Sequence, residues 1–187
     1  ETMQNIRHLW ISVRPNGDNR PHDLNRLELR ICDLITDPVS LLAITALLEA
    51  RIQQLLDNPQ LDPLQQSQFP SSNRAEDLLE LTAANEATVA KHSLNSRLRH
   101  WQDGRYIQAR DWIQSLYAEA IPIAKQGGFH DVLYPLQGIL KRGNTAQQWL
   151  SLCEKGLAPR QILQGAIIEM AQQDQKLSKE LCQPMVA

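Results

Sequence analysis

The chain of 187 residues lacks most of the features by which a sequence announces a function. Its three cysteines, Cys32, Cys153 and Cys182, are far apart, odd in number and free of Cys-x-x-Cys spacing, which excludes a disulfide framework and a cysteine zinc site. A reducing, cytoplasmic setting is therefore expected. No charge of one sign dominates: 19 Lys and Arg stand against 21 Asp and Glu, for a formal net charge of -2. That removes bulk attraction to nucleic acid or to an anionic membrane, so any phosphate recognition has to be local. The most apolar run, Val39 to Leu48, is broken by Ser40 and Thr45 and falls far short of the roughly 20 residues that a bilayer requires. A signal peptide, a repeat of fixed period and a histidine pair at metal-ligand spacing are also missing; His92, His100 and His130 have no helical partner at such spacing. What is there is ordinary: 42% hydrophobic and 21% charged residues, enough for a buried core. Function has to be sought in a site.

Two periodicities organise the chain. From His8 to Arg14 the residues alternate, with Leu9, Ile11 and Val13 on one side and His8, Trp10, Ser12 and Arg14 on the other, the pattern of a half-buried strand. The segment from Pro15 to Asn25 holds Gly17, two prolines and several Asn and Asp residues, the chemistry of a loop. A second alternation follows, with Leu27, Leu29 and Ile31 on one face and Arg26, Glu28, Arg30 and Cys32 on the other. After Asp33 the period lengthens to about 3.6 and stays there. Asp37-Pro38 predicts a helix start, and further helices are expected at about 73 to 94, 109 to 126, 129 to 142, 145 to 154 and 158 to 175, with Gly143 and Gly156 as stops. The proline- and glutamine-rich stretch from Asn58 to Ser72 is predicted to be a loop, and the tail beyond Lys179 to fray. The fold class is thus α+β: two antiparallel strands within residues 8–33, then about six helices within 37–178.

The second strand carries the chemistry. Period-two geometry puts Arg26, Glu28 and Arg30 side by side on the face that is not apolar, and a simple hairpin would add Ser12 and Arg14 to it. Guanidinium groups cannot shed their protons, so such a face is comfortable only when water or an anion occupies it. A phosphate or a carboxylate would satisfy it through paired hydrogen bonds. Glu28 can serve as an internal salt-bridge partner or as a hard oxygen ligand for magnesium on nucleotide phosphates. A solvated sheet face laced with charge pairs accounts for the same alternation.

The stretch Trp10-Ile-Ser-Val-Arg14-Pro15, a glycine-containing loop, Arg26-Leu-Glu28-Leu-Arg30-Ile-Cys-Asp33 and the helix start at Asp37-Pro38 resembles the Glu-x-Arg-x-x-Asp region of glutamate-cysteine ligases, the cyanobacterial type and the related carboxylate-amine ligases above all. The likeness continues in Asn85-Glu86, Lys91-His92-Ser93, His100-Trp-Gln-Asp-Gly104, Ala109-Arg-Asp-Trp112 and Arg142-Gly-Asn-Thr-Ala-Gln-Gln-Trp149. It implies a helix-rich C-terminal portion, here residues 1–187, of a single glutamine-synthetase-like catalytic domain. It implies an enzyme that uses ATP and Mg2+ to phosphorylate the γ-carboxylate of glutamate, which the cysteine amine then attacks to give γ-glutamylcysteine, the first step of glutathione biosynthesis. Glu28 would be a magnesium ligand, Arg30 would neutralise the transferred phosphoryl group, Arg26 would join Arg30 on the nucleotide, and Arg14 would hold substrate carboxylate or phosphate. The strand-like run so close to Glu1 suggests a chain cut from something longer, whose preceding half would bring the other metal ligands and whose absence would leave this piece inactive. A homodimer through an open sheet edge is expected; nucleic acid and membrane are not expected as partners.

The remaining marked residues have plainer readings. Asn85 and Lys91 sit about two helical turns apart, either facing the active site as the resemblance implies or on a solvated helix face. Trp101, Trp112 and Trp149 are spaced for packing between helices, and Cys32 reads as a small buried hydrophobe. Two rival functions stay open: a carboxylate-amine ligase of the same fold with another amine acceptor, and a helical interaction module without catalysis.

Overall fold

The computed structural model of the chain describes residues 11–14, 26–29, 35–69 and 74–181. It divides into two compact units, Glu1–Ile35 and Thr36–Ala187. The boundary falls where the hydrophobic period changes.

The first unit holds the two expected strands, β1 (Ile11–Arg14) and β2 (Arg26–Leu29), paired antiparallel. The register sets Ile11 opposite Leu29, Ser12 opposite Glu28, Val13 opposite Leu27 and Arg14 opposite Arg26. Apolar thus meets apolar and polar meets polar across the pair, the arrangement that fixes a two-stranded register.

The second unit is helical. Helix α1 (Pro38–Asp57) starts where Asp37 accepts hydrogen bonds from the Val39 and Ser40 amides, with proline at the first position. The loop that follows is built of turns: a 3-10 turn at Pro59–Leu61 and the short helix α2 (Pro63–Gln66), capped by Asn58 and Asp62. Helix α3 (Arg74–His92) leads through a 3-10 turn (Ser93–Asn95) to strand β3 (Arg97–Arg99), which pairs antiparallel with β4 (Tyr106–Gln108). Then come α4 (Ala109–Gln126), α5 (His130–Leu133), α6 (Leu136–Arg142), α7 (Thr145–Glu154) and α8 (Pro159–Leu181).

Three differences from the sequence expectation have physical causes. The β3–β4 hairpin was not expected; each strand is only three residues long, too short for alternation to show, and its signal is the Asp103-Gly104 turn, with Gly104 at φ +69°. The helix expected over 129 to 142 divides at Tyr134-Pro135: both residues keep right-handed helical dihedrals, but proline has no amide to donate, so the hydrogen-bond ladder is interrupted there. Helix α8 runs past 175 to Leu181, since nothing between Asp174 and Leu181 is a breaker. Gly143 and Gly156 do stop α6 and α7, at φ +93° and +91°.

The core is an alanine seam. Ala43, Ala46 and Ala50 on α1 are buried with Ala120, Ala124 and Tyr117 on α4, and Leu133 and Leu136 close one end. Small side chains let the two helix backbones approach closely, so the contact energy lies in dense packing rather than in large side chains. Outside the seam, Arg51 pairs with Glu119 at 3.2 Å and the Gln54 amide donates to the same carboxylate at 3.0 Å. Helix α1, at 20 residues and mean hydropathy 1.4, is long and apolar enough to cross a bilayer by length and composition, which the shorter run read from sequence did not suggest. Its buried alanine stripe packs on α4 and Arg51 bridges to Glu119, while Leu41, Leu42, Leu55 and Leu56 on the same helix are exposed.

A seam of this kind has no spare volume. Ala50→Leu, at a position with 0% exposure, is expected to destabilise by about 1–3 kcal/mol. Thermal unfolding should show a midpoint several degrees lower; an unchanged midpoint would show that the helices are not in close contact.

Candidate functional site

The register of the first hairpin decides which residues share a face. Side chains alternate across a strand, so Ser12 and Arg14 on β1 and Arg26 and Glu28 on β2 belong to one face, opposite the Ile11, Val13, Leu27 and Leu29 face. Arg14 directly faces Arg26, and Ser12 directly faces Glu28. Like charges directly opposed across a sheet are unfavourable, and Glu28 stands two positions from Arg26 along β2. A face that carries Arg14 opposite Arg26 is one that a phosphate or a carboxylate would suit through paired hydrogen bonds. Arg30, Cys32 and Asp33 lie outside the described residues.

In the helical unit the marked segments meet around β3. The Asn85 side chain on α3 pairs with one peptide group of β3 in both senses: its amide donates to the Arg99 carbonyl at 2.8 Å, and the Arg99 amide donates to its carbonyl oxygen at 2.9 Å. Asn85 is thus neither a solvated face residue nor free for a ligand; it stands in for a neighbouring strand. The Arg97 guanidinium lies 4.4 Å from the centroid of the Tyr106 ring and that of Arg99 5.4 Å from the Phe69 ring, so both arginines on β3 are held over aromatic faces.

His100 sits at the hairpin turn between Trp101, stacked at 5.5 Å, and Trp112, tilted at 4.8 Å. Two of the three tryptophans marked for packing do pack here. The Gln102 amide donates to His100 Nδ1 at 3.3 Å, which requires that nitrogen to be unprotonated. Burial pushes the imidazole below its ordinary value of 6.5; Asp103, 3.8 Å away, pulls the other way but does not offset the loss of hydration. Among the described residues no group of three His, Cys, Asp or Glu side chains is placed to hold a metal ion by itself.

The ordered series of segments, from the hairpin face to the capped start of α7, is matched as a whole: the sequence model of glutamate-cysteine ligase family 2 (GCS2) covers residues 1–173. The chain belongs to this family. Searches of curated proteins and of solved structures returned no match. Membership of glutamate-cysteine ligase family 2 makes the chain part of a ligase lineage, and it gathers under one description the hairpin face, the Asn85 clamp and the His100 turn.

Two outcomes follow for the helical unit. Asn85→Ala removes both hydrogen bonds to Arg99 and is expected to cost about 1–3 kcal/mol. The Arg99 amide should then exchange with solvent much faster, whereas unchanged protection would show that the clamp is idle. For His100 the folded value lies below the unfolded one, so its contribution is present in full above pH 6.5 and is lost as pH falls through the depressed folded value. The stability difference between the native chain and His100→Gln should shrink on acidification below 6.5 and stay flat above it; a constant difference would contradict a buried neutral imidazole.

Proposed function

We propose that the β1–β2 face is the phosphate-binding surface of an ATP-dependent glutamate-cysteine ligase that forms γ-glutamylcysteine, the first committed product on the way to glutathione. What carries the reading is the opposition of Arg14 and Arg26 beside Glu28, in a chain whose family match covers residues 1–173. We place these strands in an antiparallel sheet of the glutamine-synthetase-like kind, curved around the site.

The donor set suits magnesium held jointly by protein and nucleotide. Glu28 offers one hard carboxylate, and Mg2+ commonly takes one or two protein carboxylates with phosphate oxygens and water completing its shell. Bound Mg2+ and ATP would supply the phosphoryl group and screen its charge. Glu28 would then fix the metal end of the nucleotide, Arg26 would hold its phosphates, and Arg30 would meet the charge that grows on the equatorial oxygens during transfer. Arg14 would hold a substrate carboxylate or phosphate. A γ-carboxylate oxygen of glutamate bonds to phosphorus as the bond to the ADP oxygen breaks. The cysteine nitrogen next bonds to the γ-carbon, phosphate leaves with the glutamate oxygen, and the amine gives up a proton. On this reading the other metal ligands come from residues outside these 187, the chain alone turns over no ATP, and the intact enzyme works in the cytoplasm.

The experiment uses the intact enzyme, with glutamate labelled by 18O in its γ-carboxylate. One 18O should appear in released phosphate, and ADP release should depend on cysteine; unlabelled phosphate, or equal turnover with another amino acid in a panel of acceptors, would sink the proposal. Arg30→Ala should cost at least about 2.7 kcal/mol of transition-state stabilisation, roughly 10²-fold in kcat. Glu28→Gln should raise the Mg2+ requirement.

A further inference from the structure

Helix α8 carries more apolar surface than its own chain covers. Ile162 is buried, and Ala166, Met170 and Leu177, which follow it at helical spacing, are half-buried. That stripe is the covered side of α8. Beside it runs a second, exposed stripe: Leu163 is 48% exposed, Ile167 is 65% exposed, and Ala171 is exposed as well. These three recur at every fourth residue, so they share one face of the helix. Single exposed aliphatic side chains are ordinary, whereas a contiguous row marks a surface that another molecule covers.

The charges on this face say what covers it. Arg160 and Asp174 lie on the same side of α8 as Ile167, one seven residues before it and the other seven after, about two turns each way. Both are exposed, and neither forms an ion pair among the described residues. Glu169, Lys176 and Lys179 fall on the opposite side of the helix. The exposed face therefore runs from positive through apolar to negative, with Ile167 at its midpoint. Leu163 and Ala171 are placed symmetrically too, four residues before and after Ile167. A surface with this symmetry is complementary to itself turned through a half-rotation about Ile167. A second, antiparallel α8 would set Arg160 against the partner's Asp174 and Asp174 against the partner's Arg160. The same docking would pack Leu163 on the partner's Ala171 and bring the two Ile167 side chains together on the axis. Parallel docking would oppose like charges at both ends.

We infer that the protein pairs with a second copy of itself through α8, in an antiparallel two-fold contact centred on Ile167. This surface is distinct from the sheet edge expected from sequence and from the residues assigned to phosphate, so the inference does not rest on the ligase reading. One helix pair along about 15 residues, roughly 22 Å, is a small interface. The dimer is accordingly weak and concentration-dependent, with a dissociation constant on the order of 10 μM.

Sedimentation velocity of the intact enzyme at total concentrations from about 1 to 200 μM should show monomer giving way to a single dimeric species. Arg160→Asp and Asp174→Arg, both at exposed positions, should leave the thermal midpoint unchanged. Each should weaken the dimer at least roughly tenfold, because each sets two like-charged pairs across the contact. The two changes combined restore opposite pairing with the signs exchanged, so the double variant should dimerise like the native enzyme. Ile167→Glu should abolish the dimer. A monomer throughout the range, or a dimer indifferent to the single reversals, would overturn the inference. So would weakening by both single changes without recovery in the double, which would mean that the charges meet something other than each other.

Discussion

Arg14 and Arg26 stand opposite each other across the first hairpin, with Glu28 two positions along β2, in the same register that pairs Ile11 with Leu29 and Val13 with Leu27. Sliding the strands by one residue would bring the arginines to the apolar face and the aliphatic side chains to the polar one. The pairing of four aliphatic residues on one face thus goes with an opposition of arginines that electrostatics alone would avoid. Because arginine stays protonated, the repulsion cannot be relieved by titration; it can only be relieved by a counter-charge. A nucleotide with its magnesium is such a counter-charge, and Glu28 supplies the oxygen that the metal would need.

The helical unit follows a different logic. Its strength comes from an alanine seam between α1 and α4, where close approach replaces bulk, and from side chains that substitute for missing backbone partners. Asn85 closes the edge of β3, Asp37 and Asn144 close helix starts, and Asp62 closes that of α2. Asp37, Asn85 and Asn144 lie within the segments on which the resemblance to the family rests. Several of those marks are therefore structural, and they hold the ends of elements in register rather than touching a substrate.

Much of this was legible in the residues because the signals were local. Asp37-Pro38 fixed where α1 begins, Gly143 and Gly156 where α6 and α7 end, and the helix over 109 to 126 is found at Ala109–Gln126. The hairpin register was legible too, since alternation in both strands pairs Ser12 with Glu28 and Arg14 with Arg26. Long-range pairing was not legible. Nothing in the spacing of Asn85 and Arg99 says that a side-chain amide will occupy a strand edge. That relation depends on how a helix packs, and helix packing is decided by many small contacts at once.

The most direct measurement is equilibrium binding of a non-hydrolysable ATP analogue with Mg2+ to the intact enzyme, native and with Arg14→Ala and Arg26→Ala combined. If the opposed guanidiniums are the phosphate seat, the double variant should lose roughly 10²-fold in affinity, about 2.7 kcal/mol, since two charge-assisted contacts go at once. Equal affinity in the two proteins would contradict a phosphate site on this face.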